Sequence, residues 1–121
     1  MSLLRKLTLR DDSGLTLREK SPRRFSIVVN GEVTGDISIA NLDDRKGVLN
    51  TEIDEKFRGR SYGKRASRLL TEWALADGGY LVISSRVNVE NLASQRASLY
   101  AGLKEIKRSP KLVYFERRRV E

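Results

Sequence analysis

The sequence predicts an α/β domain of the α+β kind, a mixed and mostly antiparallel central sheet with helices packed on it. Three observations lead there. Short alternating segments separated by turn signals fill the first half of the chain. From Tyr62 the apolar residues recur in steps of three and four. A continuous apolar run, YLVIS at 80–84, then stands between that stretch and a second helical one.

The elements follow in order. LTLR occurs at 7–10 and again at 15–18 around DDSG, whose Asp, Ser and Gly favour a turn, so a short hairpin is predicted. RFSIVVN (24–30) and EVTGDISIA (32–40) flank Asn30-Gly31, a dipeptide suited to a type I′ hairpin turn. Residues 41–47, NLDDRKG, read as a polar loop, and VLNTEID (48–54) alternates as a half-buried strand should. Tyr62, Ala66, Leu69, Leu70 and Trp73 mark one helical face, with Gly78-Gly79 as the stop, so a helix is predicted over 62–77. Leu69, Leu70 and Trp73 belong to the core on this spacing. YLVIS reads as a strand buried on both faces, and NLASQRASLYAGL (91–103) as a helix with Asn91 at its N-cap and Gly102 near its end. KLVYFER closes the chain as a last strand after Ser109-Pro110.

At 121 residues the chain is one domain by length. Lys and Arg number 24 against 16 Asp and Glu, a net charge of +8, which admits a nucleic acid, a polyphosphate cofactor or an acidic protein surface as partner. The absence of Cys and His removes thiol nucleophiles, disulfides, imidazole bases and the usual zinc sites. No metal is expected. The N-terminal MSLLRKLTLRDD is too short in apolar residues for a signal peptide, and no run is long enough to span a bilayer, so a cytoplasmic location without membrane attachment is the expectation.

The segment with chemical content is FRGRSYGKRASRLL at 57–70. From Lys56 to Arg68 it carries six Lys or Arg and no acid, and it places Gly59, Ser61 and Gly63 at the entry to the long helix. The first turn of a helix offers unpaired N–H groups and the positive end of the macrodipole, and small residues there let a phosphate reach the backbone. A tight turn with a solvated basic face accounts for the same residues more simply.

Context favours the first reading. A strand ending near Ile53 precedes the turn, and a helix, a buried strand and a second helix opened by Asn91-x-x-Ser94 follow it. This succession resembles the GNAT superfamily of acetyl-CoA-dependent N-acetyltransferases. The family pattern Arg/Gln-x-x-Gly-x-Gly/Ala is read in Arg58-Gly59-Arg60-Ser61-Tyr62-Gly63, with Ser61 at the place of the first Gly and Ile53 as the last apolar residue of the strand before it. Asn91, Ser94, Gly102 and Leu103 stand at the family's downstream positions. The resemblance covers residues 25–116 and is nearest the ribosomal-protein and amino-terminal acetyltransferase branch, where Asn-x-x-Ser is common. It implies a single GNAT-like domain over 1–121 and acetyl-CoA as co-substrate. Backbone amides from Gly59 to Lys64, including Tyr62, would hold the coenzyme A pyrophosphate. The strand edge at Thr51, Glu52 and Ile53 would pair with the pantetheine amides, and Asn91 would bind along the same arm, a role compatible with capping its helix. Arg58, Arg60, Lys64, Arg65 and Arg68 would neutralise the remaining phosphate charge.

The resemblance is incomplete where acid–base chemistry is concerned. Members commonly keep a Tyr seven residues after the Asn as proton donor to the departing thiolate; Ser98 stands there, and Tyr100 lies two residues on. Two helical steps turn a side chain by about 200°, so Tyr100 is expected to face away, with core packing as its ordinary role. Ser98 and Tyr100 are the catalytic candidates. Arg86 occupies the place of a basic Glu found in some members, and Gly47 and Val48 occupy another. Ser61 replaces the usual Gly, and the two helices that shape the acceptor side in the family have no counterpart before Phe25.

The function expected is transfer of an acetyl group from acetyl-CoA to a primary amine, on a protein N-terminus, a Lys side chain or a small amine, by a monomer or homodimer. The alternatives are a GNAT-like module that binds coenzyme A without turnover, or a basic domain that contacts RNA or the ribosome through SPRR and ERRRVE near its ends.

Overall fold

The computed structural model describes residues 6–120; residues 1–5 and 121 lie outside it, and with them part of the N-terminal segment and the last residue of ERRRVE. The strands are β1 (Thr8–Arg10), β2 (Thr16–Ser21), β3 (Arg24–Val29), β4 (Glu32–Asp43), β5 (Lys46–Ile53), β6 (Val82–Asn88), β7 (Lys104–Arg108) and β8 (Leu112–Arg118). Helix α1 (Tyr62–Ala76) lies between β5 and β6, and α2 (Leu92–Tyr100) follows β6. The strands form one sheet in the order β1-β2-β3-β4-β5-β6-β8-β7. Only β5 and β6 run parallel, because α1 carries the chain back between them. The mixed, mostly antiparallel sheet with helices on it is the fold class the sequence predicts. Among the described residues no helix is long and apolar enough to cross a membrane.

Local chemistry sets the turns. The two LTLR segments pair across β1 and β2 with Leu9 opposite Leu17, and Asp11 closes the turn by accepting the Ser13 and Leu15 N–H groups at 2.9 and 2.8 Å. Asn30 and Gly31, at φ 51° and 80°, make the left-handed pair that a type I′ turn requires. In β4 a bulge turns Thr34 inward, where its hydroxyl donates to the Ile27 carbonyl at 3.1 Å. The next residue is Gly35, where a Cβ would lie 2.2 Å from the Glu52 carbonyl oxygen, so β5 approaches this closely only because no side chain is present.

The expected elements need correction at four places. Residues 41–47 are not a loop: β4 continues to Asp43, β5 starts at Lys46, and Arg45 at φ 68° completes a tight turn, polar because both strand ends are at the surface. The strand placed at 80–84 runs instead from Val82 to Asn88, since Ser84, Ser85 and Arg86 interrupt the apolar run without interrupting the strand. Tyr80 precedes it as a buried ring whose hydroxyl donates to Asn41 Oδ1. Strand β7 was not anticipated, because KEIKR is exposed throughout and has no alternation to betray it. Helix α2 also stops at Tyr100, earlier than 103, with Gly102 at φ 87° beyond it.

The core is in two parts. Ala66, Leu70 and Ala74, one turn apart on α1, pack with Leu75 over Leu15, Leu17, Phe25, Ile27, Ile37, Ile39, Leu49 and Ile83. Trp73 sits half-buried at the margin, edge-on to Phe25 with ring centroids 6.4 Å apart. A smaller cluster, Val87, Ala101, Leu103, Val113 and Phe115, joins the segment that follows α2 to β6 and β8.

One ion pair fastens the first hairpin to α1. Arg65 donates to both carboxylate oxygens of Asp11, at 2.8 and 3.1 Å, with both side chains about one-fifth exposed. Burial pushes the Asp11 carboxyl up, but the Arg65 hydrogen bond and those from the Leu15 and Ser13 amides outweigh it, and the group titrates below the ordinary 3.8. A depressed carboxylate stabilises the fold fully above its unfolded pKa, and that contribution is lost as pH falls through the folded value. Asp11→Asn is therefore expected to cost about 1–2 kcal/mol at pH 7. Denaturant titrations of the two proteins should converge below pH 3.8.

Candidate active site

The site originates where the sheet comes apart. β5 and β6 are in register at Lys46–Val82, Gly47–Ile83 and Val48–Ser84, and beyond Val48 they diverge. The gap is a cleft of about 810 Å³ bounded by β5, β6, the entry to α1 and the first turns of α2.

Hydrogen-bond alternation shows which main-chain groups face it. The Asp54 N–H donates to the Thr34 carbonyl at 2.9 Å, and the β4–β5 register continues with Glu52 opposite Asp36 and Asn50 opposite Ser38. Residues 54, 52 and 50 thus turn their main chain to β4, which leaves the main-chain groups of Leu49, Thr51 and Ile53 directed at the cleft. Glu52 is thereby removed from the edge that the sequence assigned to it, and Leu49 takes its place. The Ile53 carbonyl accepts Arg58 Nε at 2.9 Å, so Thr51 and Leu49 keep the freest pairing groups. On the helix side, Thr51 Oγ1 and Ser67 Oγ are 3.3 Å apart and join β5 to α1.

Across the cleft stands the turn 57–64. Gly59 has φ 80°, Ser61 has φ 67° and ψ 13°, and α1 begins at Tyr62. The first bond of the helix runs from the Arg65 N–H to the Ser61 carbonyl, and the Ser61 side chain does not cap it. Among the described residues no protein group accepts from the N–H groups of residues 59–64. Such a run of orphan donors at the positive end of a 15-residue helix is a receptacle for an anion.

The surrounding cations divide by role. Arg65 is held by Asp11, Arg68 pairs with Glu72 along α1, and Arg58 spans from the Ile53 carbonyl to Glu52, at 3.5 Å, and so braces the turn. Arg65 is thus corrected from phosphate ligand to structural tie. Arg60, over the Phe57 ring at 5.8 Å, and Lys64, over the Tyr100 ring at 4.9 Å, have no acidic partner among the described residues.

Asn91 caps α2, its Oδ1 accepting the Ser94 N–H at 3.1 Å, and lines the cleft. Ser98 is buried on the cleft wall, with its Oγ 2.7 Å from Ser85 Oγ. Ser85 was missed in the sequence; its signal was the alternation of VISSRVN, which sets 83, 85 and 87 on the helix side of the sheet. Tyr100 lies outside the cleft, 42% exposed beneath Lys64 and Arg68, whose charges are 4.9 and 5.1 Å from its ring. It does not line the cleft as Ser85 and Ser98 do, and it is not in the core.

The GNAT acetyltransferase domain model matches residues 4–104. The chain belongs to the GNAT acetyltransferases. Solved structures agree in fold: a GNAT-family acetyltransferase from Bacillus anthracis superposes with a TM-score of 0.73 at 13% identity, over 80% of this chain and 66% of that one. A spermidine N-acetyltransferase from Vibrio cholerae gives 0.70 at 13% identity, over 85% and 66%. A Sphaerobacter thermophilus protein of the same fold gives 0.70 at 15% identity, over 93% and 98%. The first three such structures are longer, and this GNAT chain spans 66%, 60% and 59% of their lengths. No curated protein matches it in sequence.

Within this GNAT fold Ser61 is the exception at the helix entry, a side chain in a left-handed conformation that ordinarily belongs to glycine. Ser61→Gly is expected to leave stability unchanged or to raise it by about 0.5 kcal/mol, because relief of strain and the added freedom of the unfolded chain oppose each other. Ser61→Val should cost about 1–2 kcal/mol. Chemical denaturation of the three proteins decides.

Proposed function

We propose that the chain transfers the acetyl group of acetyl-CoA to a primary amine by direct attack, all 121 residues forming one GNAT domain. One observation carries this reading: the unpaired amide run of residues 59–64 and the unpaired edge of β5 face the same cleft. A diphosphate matches the first and a flexible arm of amides matches the second, and coenzyme A joins the two. The structures of the Vibrio cholerae spermidine acetyltransferase and of a ribosomal L7/L12 alpha-N-protein acetyltransferase were solved with coenzyme A, which supports the choice.

Acetyl-CoA supplies an activated carbonyl carbon and a thiol leaving group; a neutral amine adds to that carbon, the C–S bond breaks, and the amine's surplus proton leaves. The chain's own contribution is placement and polarisation. The amides of Gly59, Arg60, Ser61, Tyr62, Gly63 and Lys64 would take the diphosphate, with the Arg60 and Lys64 side chains adding charge. The main-chain groups of Leu49, Thr51 and Ile53 would hold the pantetheine arm and direct an N–H at the carbonyl oxygen, where developing charge is stabilised most strongly in a dry site. Asn91 would hold the arm from the opposite wall. Ser98, oriented by Ser85, would offer a hydroxyl to the departing sulfur in place of the absent Tyr, and Tyr100 has no part in that step. Glu52, the one carboxylate on the cleft among the described residues, is exposed and engaged by Arg58, so amine deprotonation is left to water.

That shortage of acid–base groups also favours a second reading, a domain that holds coenzyme A without turnover. Two measurements separate the two. Acetyl-CoA at 100 times its dissociation constant should stabilise the protein by about 2.7 kcal/mol in a thermal melt. Thiol release across a panel of amines should then be detected, and Ser98→Ala should lower kcat about tenfold with little change in the acetyl-CoA KM, while Tyr100→Phe leaves kcat within twofold. Stabilisation without thiol release from any amine selects the second reading, and no stabilisation rejects both.

A further inference from the structure

The cleft opens on both faces of the sheet. Ser67, Ser85 and Ser98 line it on the helix side, whereas Asn50, Glu52, Arg86 and Asn88 line it on the face that carries no helix. The alternation along β6 is decisive: Ser85 meets α2, so Arg86 points the other way. Across β8 Arg86 stands directly opposite Tyr114, and across β7 Tyr114 stands opposite Lys107, whose ammonium lies 4.7 Å from the Tyr114 ring. Arg86, Tyr114 and Lys107 form one row from the cleft mouth to the sheet edge. Two strand spacings put the row at about 10 Å, the length of roughly three extended residues.

At the β6–β8–β7 end of this face the charge is one-sided. Among the described residues Lys46, Arg86, Lys104, Lys107 and Arg118 surround one carboxylate there, Glu116, which is already engaged by Lys46 at 3.4 Å and Arg118 at 2.9 Å, whereas Asp36 and Glu52 stand on the β4–β5 side. Among the described residues neither Arg86 nor Lys107 has an acid within salt-bridge distance. The opposite lip of the mouth, on β5, carries Asn50, whose side-chain carbonyl offers an acceptor to an amine, and Glu52, which Arg58 engages at 3.5 Å. The two lips thus suit the two ends of one ligand.

We infer that the acceptor is the amino terminus of an acidic peptide, which enters from the helix-free face with its amine between Asn50 and the cleft and its first carboxylates on Arg86 and Lys107. This rests on the transferase reading and names the substrate for it. The extent of the row argues for a peptide over a free amino acid, and its sign argues against a polyamine. Rim charges act on encounter and affinity more than on the chemical step, so the selectivity belongs in peptide affinity and KM, and it weakens with salt.

The test uses the full chain saturated with coenzyme A and two short peptides, fluorescently labelled at the C-terminus, that share their first residue and carry either Asp and Glu or Lys at the next three. Fluorescence anisotropy at low salt should give the acidic peptide at least tenfold the affinity of the basic one. Arg86→Glu should abolish or reverse that ratio, Arg86→Lys should keep most of it, and Lys107→Ala should reduce it. With acetyl-CoA, thiol release should show the same preference in KM and little in kcat. Equal affinities, a ratio untouched by Arg86→Glu, or displacement of the acidic peptide by a short oligonucleotide of equal charge would overturn the inference. The thermal shift by acetyl-CoA is read on the same samples: its absence removes the transferase reading, whereas a shift with equal peptide affinities removes the acceptor assignment alone.

Discussion

The divergence of β5 and β6 is the constraint on which the rest of the structure depends. Two parallel strands that separate after three paired positions leave main-chain donors and acceptors inside the molecule that the sheet cannot satisfy. Among the described residues nothing in the core fills that gap. The first apolar cluster ends with Ile83 and the second begins with Val87, so β6 passes from one core to the other, and the cleft runs between them. The fold is stable around an opening because each half closes separately, one under α1 and one against the segment that follows α2.

The helix entry completes the opening. A helix normally has its first amides capped by a Ser, Thr, Asp or Asn side chain, as Asn91 does for α2. At α1 the residue in that place is Ser61, held in a left-handed turn where its hydroxyl does not reach back, and the amides stay unpaired. The two helices that border one cleft therefore end differently, and the difference marks the anion's place on the α1 side. The cations follow the same division: Arg65 and Arg58 maintain the frame through Asp11 and the Ile53 carbonyl, which leaves Arg60 and Lys64 for a ligand.

Much of this was legible in the residues. Asn30-Gly31, the steps of three and four from Tyr62, and the spacing from Ile53 through Arg58 to Asn91 and Gly102 each express a local rule, and each appears in the fold in its stated place. What the sequence concealed depends on partners far along the chain. Arg65 could not be told from Arg60 without Asp11, which is 54 residues away in sequence. Glu52 lost its place at the strand edge to Leu49 through the register of β4, and Ser85 became visible as Ser98's partner only once β6 extended past the end of its apolar run. Strand β7 carries almost no apolar signal because it is an exposed edge whose charges discourage further pairing.

The central claim is that the unpaired amides on the two sides of the cleft form one binding surface for coenzyme A. Amide chemical shifts in a 15N-labelled sample, followed through a titration with coenzyme A, test it most directly. The claim predicts saturable shifts with a common dissociation constant for the amides of residues 59–64 and for Leu49, Thr51 and Ile53, while the β1–β3 amides stay in place. Shifts confined to other parts of the chain, or an unchanged spectrum at saturating ligand, would contradict it.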